Sequence, residues 1–330
     1  MPVSLQGASV PGRRGLLHRG GWLVPLVVAG AFFAPEAVLA AESAGGGDGL
    51  PWWGWALALF IVCLFLGVVA VLGGVGGGVL FVPIVGGFFP FHIDFVRGAG
   101  LLVALAGALA AGPGLLKTGM ASLRLSLPLA LIASASAIVG ALVGLALPAN
   151  VVQTALGMTI LGIVVLMWLA KKSELPDVPQ ADTLAAALRM NGVFYDFASR
   201  REIDWKVHRT PVGLVMFFGI GFLAGMFGLG AGWANVPVLN LLMGAPLKVS
   251  VATSKFMLSI VDTSAAWVYI NQGAVLAIIA VPSIIGIMLG SFVGVRLLRV
   301  AKASVIRKGG IGMLLLAGSR ALLKGLGIWN

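Results

Sequence analysis

A single carboxylate stands in the middle of a long apolar stretch of the sequence. Of the 11 acidic residues, Asp262 alone falls inside a predicted apolar segment. A carboxylate within lipid costs at least about 2.5 kcal/mol and is by default a functional candidate. Lys255 precedes it by seven residues, so both lie on nearly the same helical face, about two turns apart. Hydroxyl groups accompany them at Thr253, Ser254, Ser259, Thr263 and Ser264.

These residues can bind an anion and couple its transport to a proton. In this interpretation Asp262 carries a proton, while Lys255, Thr253, Ser254 and Asn235 hold a small anionic substrate. A second interpretation stays open. Asp262 is then a structural partner of a Ser, Thr or Trp on a neighbouring helix, and Lys255 only marks the cytoplasmic end of its helix.

Two glycine-rich blocks offer backbone groups for the same purpose. They read Leu72-Gly-Gly-Val-Gly-Gly-Gly-Val-Leu-Phe-Val-Pro83 and Met226-Phe-Gly-Leu-Gly-Ala-Gly-Trp-Ala-Asn-Val-Pro237. Alternating glycines interrupt a helix, and the apolar segment beyond each block has only about 14 residues, or about 21 Å of helix. Free N–H groups beside a helix start attract anions. The candidate substrate-binding glycines are Gly74, Gly76, Gly78, Gly228, Gly230 and Gly232.

The alternative for these glycines is close helix packing. Small residues at four-residue spacing serve that purpose in membranes, and the chain has such spacing at Gly286, Gly290 and Gly294. The recurrence of both blocks beside a Val-Pro favours a binding site.

A polar cluster follows the first short segment. Arg97 is a candidate for the outer entrance, because a guanidinium pairs well with oxyanions. Alternatively, Asp94 and Arg97 simply pair with each other. His92 has no second ligand at metal-binding spacing, so we predict no metal and no cofactor.

The composition excludes a soluble enzyme. Of 330 residues, 59% are hydrophobic and 10% charged, against about a quarter charged in soluble domains. Apolar runs of about 20 residues recur, each long enough to cross a membrane. The predicted class is an all-α polytopic membrane protein. The net charge of +11 comes from residues between apolar runs, which indicates topology rather than nucleic-acid binding. The single cysteine, Cys63, excludes a disulfide framework.

The sequence contains an internal repeat. A shift of 154 residues aligns the halves without a gap, placing Gly67 on Gly221 and Pro83 on Pro237. Repeat 1 covers residues 51–170 and repeat 2 covers 211–326. Each has five apolar segments: 51–73, 76–91, 98–116, 125–148 and 150–170, then 211–229, 232–245, 252–271, 274–296 and 308–326.

An odd number of segments inverts the second copy in the membrane. With residue 50 outside, the cytoplasmic loops and the three N-terminal arginines together account for 19 of the 22 Lys and Arg residues, as the positive-inside rule requires. Re-entrant second segments would place the basic linker outside, so we reject that topology. Inverted repeats are typical of secondary transporters, with a binding site near the midplane.

The two remaining parts flank and join the repeats. Residues 1–41 contain three arginines, an apolar stretch and small residues at Val38-Leu39-Ala40, which indicates a signal peptide or an uncleaved first helix. Residues 171–210 form a predicted cytoplasmic linker with a short surface helix over Thr183 to Met190. We assign the linker a connecting role.

The paired glycine-rich and Val-Pro blocks resemble those of the TauE/SafE family of sulfite exporters. The resemblance covers about residues 53–326 and rests on the six candidate glycines with Pro83 and Pro237. It implies transport of sulfite, thiosulfate or organosulfonates across the cytoplasmic (inner) membrane, with export as the default direction. The linker is longer than the family leads us to expect.

We therefore predict a membrane transporter of small sulfur-containing anions, with protons as a second partner and the lipid bilayer as its environment. No catalytic set of side chains converges in the sequence, so no enzyme is predicted. A passive anion channel and a non-transporting membrane assembly protein remain as alternatives. The sequence leaves the anion, its direction and the oligomeric state open.

Overall fold

The fold is known from a computed structural model. It describes residues 52–73, 76–117, 121–169, 176, 178–196, 201–297, 312, 314–315 and 318–327. The predicted N-terminal segment 1–41 lies outside the described residues. The described parts are predominantly helical, which confirms the all-α class.

Five helices form the first half of the molecule. The second, short helix begins after the glycine-rich block, at an extended Gly76 that has no side-chain cap. It has 12 residues, or about 18 Å, which is too short to cross a membrane alone. The helices are α1 (Trp52–Gly73), α2 (Gly77–Phe88), α3 (Ile93–Lys117), α4 (Leu123–Ala146) and α5 (Ala149–Leu169).

The linker folds into more than the predicted surface helix. Helix α6 covers Thr183–Ala187, within the predicted stretch, and strands β1 (Gly192–Asp196) and β2 (Arg201–Trp205) follow. The strands pair as an antiparallel hairpin. Sequence reasoning missed this hairpin, because two five-residue strands with mixed charges carry a weak pattern.

Linker side chains belong to a hydrophobic core that both halves share. Met190, Phe194 and Trp205 are buried in the same hydrophobic cluster as Phe217 and Met243. The linker is therefore a packed unit, and the role of a simple connector understates it.

The second half repeats the helical order of the first with one added irregularity. Its short helix α8 ends at Pro237 and continues as a π-helical turn, where the first copy runs on as a regular helix. The helices are α7 (Thr210–Phe227), α8 (Gly232–Pro237), α9 (Leu247–Asn271) and α10 (Ala277–Leu297), with the π turn at Val238–Leu242. Residues 318–325 are also helical.

The long helices pair across the two halves. Helix α1 packs on α10, and α4 packs on α7. A Cβ on Gly67 would overlap the carbonyl oxygen of Ile287, and one on Gly221 would overlap that of Ala133. The 154-residue shift relates both members of these contacts. The first helix of each half thus packs on the fourth helix of the other.

Five described helices are long and apolar enough to cross a membrane. The qualifying spans are Trp53–Ala70, Ile93–Ala110, Leu123–Ala146, Thr210–Phe227 and Ala277–Gly294. Helix α9 has 25 residues but carries more polar side chains. The chain is therefore a multi-pass membrane protein, and the opposite orientation of its two halves stays a prediction.

We expect Asp182→Ala to loosen the linker. The carboxylate accepts hydrogen bonds from the N–H of Ala185 at 2.6 Å and from the N–H and hydroxyl of Thr210 at 2.6 and 2.9 Å. It thereby caps the start of α6 and joins α6 to the first turn of α7. Losing such a cap costs about 1–2 kcal/mol. The measurement is the rate of limited proteolysis within the linker.

The effect of Asp182 depends on pH. Burial raises the pKa of Asp182, but the hydrogen bonds and the nearby His208 outweigh burial, so its pKa is lowered overall. Its stabilisation is therefore present at neutral pH and lost as the pH falls through the lowered pKa. The exposed Asp204→Ala serves as control. Equal proteolysis of both variants at neutral pH would contradict the capping role.

Candidate functional site

The two helix interruptions touch each other. A Cβ built on Gly232 would lie 3.4 Å from the Cα and N of Gly76, and a Cβ built on Gly76 would lie 3.7 Å from the Cα of Gly232. The contact is thus between backbones of opposite halves. We call this place, formed by Gly76 and residues 228–232, the junction.

The turn between α7 and α8 requires glycine at two positions. Gly228 has φ +67° and Gly230 has φ +72°, a left-handed conformation that other residues reach at a cost. A Cβ on Gly230 would lie 3.0 Å from Oδ2 of Asp262 and 2.9 Å from the Cβ of Ala104. Gly230 therefore gives the Asp262 carboxylate its space at the junction.

Asp262 is fully buried on α9. The N–H of Ala231 interacts with its carboxylate, but neither carboxylate oxygen completes a hydrogen bond with a protein group. Buried polar groups in folded proteins are nearly always hydrogen-bonded. An unsatisfied buried carboxylate therefore indicates a missing partner, which a ligand, a water molecule or a proton can supply.

A second unsatisfied side chain lies on α8. Asn235 is fully buried, and both its Oδ1 and Nδ2 lack hydrogen-bond partners. Its N–H donates to the carbonyl oxygen of Ala231 at 3.3 Å, so it stands one turn from the junction. The buried Nε1 of Trp233 on the same helix is unsatisfied as well. Sequence reasoning had not singled out Trp233.

The remaining candidate side chains on α9 differ in their surroundings. Lys255 is half-buried, and its charge interacts with that of Asp262. The two side chains do not form an ion pair within 4.0 Å, since the ion pairs within that distance among the described residues both involve Asp94. Ser254 is buried. The Oγ1 of Thr253 accepts a hydrogen bond from the N–H of Ser122 at 3.1 Å. That bond ties Thr253 to the start of α4.

Two of the candidate glycines have packing contacts. A Cβ on Gly78 would overlap the carbonyl oxygens of Leu229 and Gly100, and one on Gly228 would overlap the backbone of Arg97. These contacts match the packing alternative for both positions. Gly74 lies outside the described residues.

Arg97 has a position different from the predicted entrance. Its side chain is fully buried, and Nη1 donates to the carbonyl oxygens of Gly144 at 3.0 Å and Met226 at 2.9 Å. Nη2 pairs with Asp94, as the alternative interpretation states. An entrance role does not fit this position, because the guanidinium is inside the protein and already bound.

Arg97 instead caps the end of α7. A cation near the last carbonyl groups of a helix is stabilising. Tyr269 assists, because its hydroxyl donates to the carbonyl oxygen of Gly225 at 3.0 Å and its ring centroid lies 5.8 Å from Cζ of Arg97. The cap holds the helix end directly before the Gly228 turn. Sequence reasoning missed Tyr269, although it is one of only two tyrosines in the chain.

The junction is closed in this conformation. Gly76, Gly230, Gly232, Asn235 and Asp262 are all buried. A solute therefore reaches these residues only if neighbouring parts of the protein move. Among the described residues, no group of three His, Cys, Asp or Glu side chains could hold a metal ion.

A family of known proteins matches the part of the chain that contains these helices. The family profile described as "Sulfite exporter TauE/SafE" matches residues 59–321, from α1 into the last helical region. A curated relative is "Probable membrane transporter protein YunE" of Bacillus subtilis (strain 168), 31% identical over 99 residues. That stretch covers 30% of this chain and 36% of the relative. No solved structure matches the chain.

Proposed function

Because the chain belongs to the sulfite exporter TauE/SafE family, we propose that it is a secondary transporter of small sulfur-containing anions. Sulfite, thiosulfate and organosulfonates are the candidate substrates. In this proposal the protein resides in the cytoplasmic membrane, with residues 171–210 on the cytoplasmic side and the two halves inverted relative to each other. The similarity to a probable membrane transporter supports the proposal.

One observation carries it. Asn235 and Asp262 are fully buried with unsatisfied polar atoms close to the place where the interrupted helices of the two halves meet. A purely structural core would hydrogen-bond such groups or replace them with apolar ones. In a site that exchanges a polar ligand, such groups can stay unpaired by the protein and be available to the ligand.

A relative movement of the two halves can expose the junction first to one side of the membrane and then to the other. Gly76 belongs to the first half and Gly232 to the second, and a relative movement separates them without unfolding either helix. The amide of Asn235 and the backbone N–H groups around Gly230 then bind the anion, with Lys255 contributing its charge. A passive channel predicts a continuous path instead, and the closed junction favours a carrier.

We expect Asn235→Leu to lose anion exchange while the fold is retained. Leucine has a similar volume and removes two unsatisfied buried atoms, so thermal stability is expected to stay equal or to rise. Exchange is expected to fall at least about tenfold, because the anion loses a hydrogen-bond donor in a water-poor site. The measurement is counterflow of labelled sulfite, thiosulfate or ethanesulfonate into proteoliposomes preloaded with the same unlabelled anion.

The matched control is Asn150→Leu on the exposed surface of α5, which is expected to exchange at the wild-type rate. Counterflow of none of the three anions by the wild-type protein would contradict the proposed function and favour an assembly protein. Flux without stimulation by internal anion would favour a channel. Unchanged exchange in Asn235→Leu would remove Asn235 from the site.

A further inference from the structure

The Asp262 carboxylate and a bound anion would compete for one small space. A Cβ on Gly230 would lie 3.0 and 3.4 Å from the two carboxylate oxygens, and the Ala231 N–H already interacts with them. The Ala231 N–H, one of the backbone groups that would bind the anion, therefore faces Asp262, and Gly230 lies directly beside it. This inference rests on the proposed function, because it concerns the same junction.

Apart from Lys255, the described side chains around the junction supply no unpaired buried charge that would offset the repulsion between Asp262 and an anion. From its own helix, Asp262 is acted on by Lys255, two turns away. Helix α3 presents Ala104 at the junction, and its described charges at Asp94 and Arg97 pair with each other. Helices α7 and α8 contain no charged residue. The charge of α4, Arg124, is exposed.

An ionised Asp262 and an anion therefore exclude each other. Two like charges about 4 Å apart at an effective dielectric constant of about 20 weaken binding by about a thousandfold. A proton on the carboxyl group removes this repulsion. It also converts an acceptor into an O–H donor that can bond to the anion.

We propose that proton and anion occupy the junction together, so that this protein is a proton–anion symporter and not an antiporter. Both are taken up on one side and both are released on the other. No covalent bond is made or broken apart from protonation of Asp262. The proton gradient then sets the direction, and under an inward proton gradient the net flux is inward, opposite to the export that the family resemblance implies.

The sign of coupling is measurable in proteoliposomes with the membrane potential clamped by potassium and valinomycin. Labelled ethanesulfonate is the probe, because a sulfonate keeps its charge at the pH values used. A gradient of about one pH unit, alkaline inside, is expected to drive accumulation of up to about tenfold. The reversed gradient is expected to drive depletion.

Accumulation on the acidic side, or the same level with both gradients, would overturn symport. Since the counterflow experiment needs no gradient, its failure would instead contradict the proposed function itself. In Asp262→Asn the labelled anion is expected to reach the same level with either gradient, whereas the exposed Asp204→Asn on β2 keeps the wild-type response. If Asp262→Asn fails to fold, the wild-type sign alone decides between symport and antiport.

Discussion

Gly230→Val is expected to abolish anion exchange. The residue has φ +72°, where a β-branched side chain is strained by about 1–3 kcal/mol. The new Cβ would also lie 2.9 Å from the Cβ of Ala104 and 3.0 Å from Oδ2 of Asp262. Either the turn or the carboxylate must move, and both define the site. We expect at least a hundredfold loss, or about 2.7 kcal/mol, measured as counterflow.

A matched substitution separates this effect from general damage to the protein. Gly219 lies on α7, where an added Cβ meets nothing within 4 Å. The Gly219→Val variant is therefore expected to exchange the anion at the wild-type rate. Gly230→Ala places a Cβ in the same position but carries less backbone strain than a β-branched residue, and is expected to show an intermediate loss. Wild-type exchange by a folded Gly230→Val, checked by size-exclusion chromatography, would remove Gly230 from the site.

Arg97→Leu is expected to destabilise the protein by about 3–5 kcal/mol, because weakening the hydrogen bonding of a buried carbonyl group costs about 1–3 kcal/mol and Arg97 serves two such groups. The substitution removes the arginine donor from the carbonyl oxygens of Gly144 and Met226, of which Met226 keeps only the Tyr269 hydroxyl at 3.3 Å. It also removes the arginine partner from Asp94. Because these groups fix the end of α7, the Gly228 turn is expected to loosen as well. The measurement is the thermal unfolding midpoint in detergent, with an expected fall of about 10 °C.

Arg124→Leu is the control for loss of a positive charge. Arg124 is exposed, and its replacement is expected to change stability by no more than about 0.5 kcal/mol. Tyr269→Phe removes one hydroxyl from the same helix cap and is expected to show about 1 kcal/mol. Equal midpoints for Arg97→Leu and the wild type would exclude the capping role.

The helices were predictable because membrane segments differ from other segments in length and hydropathy. The position of each glycine-rich block predicted where a short helix begins, since alternating glycines cannot sustain a helix. The contact between Gly76 and Gly232 could not be predicted from the sequence. It depends on how α1 and α10, and α4 and α7, pair across the halves, and a hydropathy pattern does not contain that pairing.

The errors have physical causes too. Arg97 follows a predicted outer loop, and sequence alone cannot show that the chain folds its guanidinium inward onto carbonyl groups of α7. The capping hydroxyl of Tyr269 lies 172 positions further along the chain. The linker hairpin depends on burying Phe194 and Trp205 in a hydrophobic core that both halves share, a tertiary effect that its short charged strands do not indicate.

Cysteine labelling at position 76 tests the junction as an anion site most directly. A Cβ at Gly76 meets its nearest atoms at 3.7 Å or more, so the Cβ of Gly76→Cys fits without overlap. Cys63, the native cysteine, is replaced by alanine to remove its thiol. Ethanesulfonate serves as the ligand, because sulfite itself reacts with maleimides. Gly219→Cys on α7 reports labelling away from the junction.

We expect a small maleimide to label the Gly76→Cys variant slowly, as the closed junction opens, and ethanesulfonate to protect this variant in a saturable manner. Labelling of Gly219→Cys is expected to be insensitive to the anion. If position 76 is never labelled, or is labelled at the same rate at every anion concentration, the two helix interruptions do not enclose the transport site.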